Sequence, residues 1–138
     1  RSAGSSKSSV TWTLFAAGSD ALDQRALNTI ATLAGKLREL VTAADAYRYD
    51  FTLQIVGRAD PTGAERDNLA LSRRRATAVR DRLLSLGIKP SRLTVEATGS
   101  GDPIPADAAA ERARVNRSVS YTIRAQPSET ANVAERQR

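Results

Sequence analysis

YDFTLQIVGRADPTGAERDNLALSRRRATAVRDRLLSLG, residues Tyr49 to Gly87, changes period part-way, and that change decides the fold. Tyr49, Phe51, Leu53 and Ile55 alternate with polar residues, the two-residue period of a strand with one buried face, and Gly57 ends it. From about Asp67 to Leu86 the apolar residues recur at helical spacing, and Gly87 stands where a left-handed helix cap belongs. Between them lies Gly57-Arg58-Ala59-Asp60-Pro61-Thr62-Gly63, a tight turn carrying one acid. A strand, a turn and a long helix make the first half of a βαβ unit.

Working outward, Val10, Trp12 and Leu14 alternate with threonines and predict a short strand whose Trp12 faces the core. A helix is expected next, capped by Ser19 or Asp20, with Leu22, Ala26, Ile30, Leu33, Leu37 and Leu40 on one face. Beyond Gly87, Leu93 to Ala97 reads as a strand and Gly99, Gly101, Pro103 and Pro105 as a loop in which Asp102 and Asp107 are turn residues. Ala106 to Val115 predicts a short helix, and Val119, Tyr121 and Ile123 a last strand. Strands separated by long helices pair in parallel through right-handed crossovers, whereas a strand after a shorter connection can insert antiparallel. The expected class is α/β (α+β): a small mixed four-stranded sheet with two long helices packed on it.

At 138 residues the chain is one domain with tails. Residues 1–9 read as a Ser/Gly linker, 10–125 as the domain and 126–138 as a polar, disordered tail. A start at Arg rather than Met marks the chain as a piece of a longer protein. No run approaches the roughly 18 apolar residues of a membrane helix. Cys and His are both absent, which removes thiolate and imidazole metal ligands, the commonest general base and every Ser-His or Cys-His arrangement. Neither a catalytic set, a metal nor a cofactor is expected.

The net charge of +6 is concentrated: between Arg58 and Arg92 eight Arg and one Lys face four acids. Such a stripe attracts polyanions without choosing among them. Its three adjacent arginines differ. At about 100° per residue, Leu69, Ser72, Ala76, Val79, Leu83 and Leu86 form the stripe facing the sheet, Arg74 falls opposite it, and Arg75 falls on its edge beside Asn68. Helical side chains lean toward the N-terminus, so Arg75 reaches back toward the turn of Asp60. Two readings of that pair stand side by side. One is a structural ion pair, worth about 0 to 1 kcal/mol if exposed. The other is a split binding site, with Asp60 accepting from a ligand ammonium and Arg75 forking onto a ligand carboxylate.

The runs G-R-A-D-P-T-G from Gly57, N-L-A-L-S-R-R-R-A-T-A-V-R-D-R-L-L-S-L-G-I from Asn68 and N-R-S-V-S-Y-T-I from Asn116 resemble the OmpA-like C-terminal domain shared with MotB and the peptidoglycan-associated lipoprotein. The likeness extends over about Val10 to Ile123. It implies non-covalent binding of peptidoglycan through the meso-diaminopimelate of the stem peptide, with Asp60 and Arg75 at the positions of the family's binding Asp and Arg. Diaminopimelate ends in a centre bearing both ammonium and carboxylate, the zwitterion a split site would take. Backbone amides from Asp60 through Thr62 to Gly63 and at the start of the helix would add donors for the carboxylate. Arg58 stands where the family has His and Ala59 where it has Thr, so Arg58 either contacts glycan or a second carboxylate, or is solvated. Asn68 either bonds the Asp60 loop or caps its helix. Asn116 is expected to brace the site loop with Arg117 at its edge, although Ser118 replaces a family Arg, and Phe15 through Ala17 to Ser19 are expected to line the peptide groove.

The resemblance further implies a periplasmic domain whose membrane-anchored parent continues upstream; a homodimer is compatible with it. The competing classes are a polyanion or nucleic-acid binder, an OmpA-like fold serving only as an interaction module, and a peptidoglycan hydrolase. No aromatic residue interleaves the arginines, which argues against stacking on single strands, so no nucleic-acid partner is expected. A hydrolase would need paired carboxylates or a metal-bound water, and the composition offers poor material for either.

Overall fold

The computed structural model of the chain describes residues 12–61, 63–101, 103–104 and 109–128. The elements run β1 (Thr13–Leu14), α1 (Gln24–Tyr47), β2 (Tyr49–Gly57), α2 (Glu65–Ser85), a 3-10 turn (Pro90–Arg92), β3 (Leu93–Ala97), α3 (Ala109–Val115) and β4 (Ser118–Pro127). The four strands form one mixed sheet in the order β1-β4-β2-β3. β2 and β3 are parallel, joined through α2, while β4 inserts antiparallel between β1 and β2. Both the class and the antiparallel insertion expected from the sequence are present.

One core fuses the layers. Phe51, Leu53 and Ile55 of β2 meet Ile30, Ala34 and Leu37 of α1 and Ala76, Val79 and Leu83 of α2, all within a single buried cluster. The intervening Thr52 and Gln54 are half-buried on the other face, as a period of two requires. Gly87 does hold a left-handed backbone, at φ +96°, and behind it the Ile88 N–H returns to the Leu83 carbonyl at 3.1 Å.

Several expectations are corrected. Asp23, not Ser19 or Asp20, caps α1, its side chain accepting from the Ala26 N–H at 2.8 Å; the Ser19 hydroxyl instead accepts from Ala21. β1 has the opposite phase: Thr13 and Phe15 are buried, while Trp12 is 37% exposed rather than in the core. The stripe of α2 keeps Ser72, Ala76, Val79 and Leu83 buried and Leu86 against the core, but Asn68 is buried where Leu69, 41% exposed, was expected, and Arg75 is fully buried rather than at the edge. α2 starts at Glu65 behind Ala64, earlier than its apolar residues indicate, so Asn68 is inside the helix and not its cap. β4 continues through Pro127, pairing Gln126 with Asp50 and Pro127 with Tyr49, two residues past the expected boundary. Val10, Thr62, Asp102, Asp107, the 1–9 segment and residues 129–138 lie outside the described residues.

Candidate functional site

The site sits at the carboxyl ends of β2 and β3, and glycines bring its walls together. At Gly57 a Cβ would overlap the Ser72 carbonyl, so strand and helix approach more closely than any side chain permits. Beyond it the ladder continues: Thr98 N–H to Gly57 O is 3.1 Å and Ala59 N–H to Gly99 O is 2.9 Å. Gly99, at φ +57°, donates its N–H to the buried Ser72 hydroxyl at 3.0 Å. Ser72 is a site residue that polarity alone could have flagged, being the one hydroxyl in an otherwise apolar helical stripe. Glu65, in the first turn of α2, accepts from the Ser100 hydroxyl and backbone N–H.

These contacts present Asp60 at the turn, 9% exposed. Behind it Arg75 is fully buried, at 0% exposure. Its guanidinium donates to three backbone carbonyls, Ser19 O at 2.8 Å, Arg58 O at 3.0 Å and Ala16 O at 3.1 Å, and lies 5.3 Å from the Phe15 ring centroid. Arg75 thus ties the β1–α1 loop to the end of β2. Burial pushes its pKa down to about 10, with the neighbouring Asp60 carboxylate pulling it back up and Arg117 adding to the fall. At neutral pH it remains a cation.

Asp60 and Arg75 are close enough to interact electrostatically but do not bond one another. The Asp60 carboxylate instead accepts from Arg117 Nη1 at 3.4 Å, and Arg117 Nε reaches the Phe15 carbonyl at 3.3 Å. Asn116, next in sequence, grips the loop before α3: its Oδ1 accepts from Ile104 N–H at 2.7 Å, and its Nδ2 donates to Ile104 O at 3.0 Å and Arg112 O at 2.7 Å. Asn116 thus holds Ile104 and Arg112 at the loop before α3, and Arg117 meets the Asp60 carboxylate directly.

The remaining candidates divide. Arg58 turns away to donate to Ser120 on β4 and is half-buried, not solvated. Asn68 is buried, and its side chain enters no hydrogen bond among the described residues. Phe15 is buried beneath Arg75, whereas Ala16, Ala17 and Gly18 form an exposed rim. Gly63 is exposed with φ +78°. The first turn of α2 carries Glu65 and Asp67, and the amides of Asp67 and Asn68 turn back onto Ala64 O at 3.1 Å. Among the described residues there is no group of three or more acids that could hold a metal ion, and no helix long and apolar enough to cross a membrane.

Two long helices on one mixed sheet, with an acid and a buried helix arginine at the carboxyl edge of its parallel pair, define a small α/β module with a charged cluster. The chain belongs to the OmpA family, whose model matches residues 14–117. It is 40% identical over 72 residues to outer membrane protein A of Bordetella avium, covering 52% of this chain and 37% of that protein. To the probable lipoprotein YiaD of Escherichia coli it is 29% identical over 109 residues, 79% of this chain and 46% of that one. The chain therefore spans less than half the length of these relatives. Among solved structures, the peptidoglycan-associated lipoprotein of Burkholderia pseudomallei superposes with a TM-score of 0.70 at 21% identity, over 82% of this chain and 89% of that one. The periplasmic domain of Helicobacter pylori MotB superposes at 0.69 and 22%, over 91% and 78%. At these identities the likeness is one of fold.

Proposed function

We propose that this domain binds peptidoglycan non-covalently through the diaminopimelate of its stem peptide and anchors a larger, membrane-attached envelope protein to the cell wall from the periplasm. The observation that carries this reading is the cluster of Asp60, Arg75 and Arg117, charged groups of both signs brought to one partly shielded place. Asp60 takes the ligand ammonium, where low local dielectric strengthens a charge-assisted bond. Arg75 frames the pocket and supplies a fixed positive field behind it. Asn68 offers an amide that no described residue bonds. Family membership and the fold shared with the peptidoglycan-associated lipoprotein support the same reading.

The test is co-sedimentation of the domain with purified peptidoglycan. Asp60→Asn keeps the shape of the side chain and removes its charge, and it should abolish pelleting, while the exposed Asp81→Asn should not. Free meso-diaminopimelate should release the intact domain. Undiminished pelleting of a folded Asp60→Asn protein would sink the proposal.

The exposed face of α2, with Arg66, Arg73, Arg74 and Arg82, favours polyanion binding as a second reading. Asp20 at 3.2 Å neutralises part of that face by pairing with Arg74. Pelleting that fell steeply with salt and ignored both Asp60→Asn and diaminopimelate would select it.

A further inference from the structure

Glu65 is an exposed acid in the first turn of α2, a place where the helix dipole favours a negative charge wherever its side chain points. Its carboxylate is nonetheless committed to a loop 35 residues further along the chain. One oxygen accepts from the Ser100 hydroxyl and the other from the Ser100 backbone N–H at 3.3 Å. The same carboxylate lies over the neighbouring glycine, where a Cβ on Gly99 would overlap it and stand 3.2 Å from the Leu69 nitrogen.

Gly99 is gripped from its other side as well. Its N–H donates to the Ser72 Oγ at 3.0 Å, and that hydroxyl is itself oriented by donating to Leu69 O at 2.8 Å. Glu65 and Ser72 are seven positions, two helical turns, apart, so one face of α2 supplies both holds. The turn between them is closed by Gly101 N–H on Thr98 O at 2.8 Å. From this turn hangs the segment that ends β2: Gly99 O accepts from Ala59 N–H at 2.9 Å, and Thr98 gives both its N–H and its hydroxyl to Gly57 O, each at 3.1 Å. Ala59 is buried and directly precedes Asp60.

We infer that Glu65 is a positioning residue for Asp60. By latching the turn of Thr98 to Gly101 onto α2 it fixes the Gly99 carbonyl, and through the Ala59 N–H it aims the Asp60 carboxylate at the ligand. This rests on the stem-peptide reading above and adds to it a residue that serves binding from outside the charged cluster. Glu65 also lies outside the buried core, so its loss loosens the turn and leaves the packing of sheet and helices in place.

Amide hydrogen exchange followed by NMR, together with calorimetric titration of L-Ala-γ-D-Glu-meso-diaminopimelate, tests this on the intact chain, Glu65→Ala, Glu65→Gln and Asp67→Asn. In Glu65→Ala the Ala59 and Gly99 amides should exchange about tenfold faster while those of Ile55 and Val79 keep their rates. Tripeptide affinity should fall about threefold to tenfold. Glu65→Gln retains one accepting oxygen and should lie between the two. Asp67→Asn removes a charge from the same helical turn and should change neither reading; effects equal to those of Glu65→Ala would assign them to the helix end and overturn the latch. Unchanged Ala59 exchange in a folded Glu65→Ala protein would overturn it too. If Glu65→Ala does not fold, Glu65→Gln decides by the same two readings. Faster exchange with unchanged affinity refutes the aiming of Asp60 and leaves stem-peptide binding standing. An intact domain that binds no tripeptide removes the reading beneath, and the positioning role falls with it.

Discussion

Arg75 lies over the ring of Phe15 and beside Asp60, yet its hydrogen bonds go to carbonyl oxygens of Ala16, Ser19 and Arg58 and not to the carboxylate. A buried charge is tolerated when its donors are satisfied, and removing it strands every acceptor it served. Arg75→Ala should therefore cost about 3 kcal/mol or more in urea unfolding. Arg75→Lys should recover only part of this, because an ammonium cannot fork to three separated carbonyls. Little loss in either variant would show that the arginine does not hold the loop. Binding by Arg75 variants must accordingly be compared at equal folded fraction.

Gly57→Ala should destabilise by about 2 kcal/mol or more, because the new methyl must push β2 off the Ser72 carbonyl. The displacement also moves Asp60, three residues on, so a thermal melt and peptidoglycan pelleting should fall together. A melt unchanged from wild type would contradict the close approach.

The Ser118 hydroxyl is fully buried and has no hydrogen-bond partner among the described residues. Removing an orphaned polar group stabilises, so Ser118→Ala should raise stability by up to about 1 kcal/mol. A lower unfolding midpoint in denaturant would show that the hydroxyl is satisfied after all.

Burial raises the Tyr121 phenol from 10.0 to about 12, against the opposing pull of its 2.6 Å hydrogen bond with Thr13. The folded state thus holds this proton where the unfolded chain loses it. Tyr121 contributes stability that is complete below about pH 10 and is lost as pH rises from there toward 12, at most about 2 to 3 kcal/mol. Urea midpoints followed through this range should fall with pH, and Tyr121→Phe should flatten that part of the decline. Equal alkaline slopes in the two proteins would contradict the shift.

The alternation of Phe51, Leu53 and Ile55, the helical spacing of α2 and Gly87 made the parallel unit legible, and the shorter connection before Val119 made the antiparallel strand so. What was hidden follows from one assumption, that polar residues stay outside. Thr13 is buried because Tyr121 satisfies its hydroxyl, which leaves Trp12 on the open side. Arg75 is buried because a loop presents it with carbonyls, and no period in the sequence announces a carbonyl. Asp60 was found from its turn, but its pairing with Arg117, 57 positions away, is set by where β4 inserts.

That insertion governs when the domain can come into being. β4 is the last of the described strands in sequence yet the second in the sheet, and it is the neighbour that joins β1 to the rest. Its ladder with β2 links Gly57 to Val119 and Tyr49 to Pro127, contacts remote in sequence that are slow to close. A growing chain therefore has no complete sheet, and no Arg117 to offer Asp60, until β4 is free to fold. Assembly is ordered by topology: the pocket is finished late, together with the strand that closes the sheet.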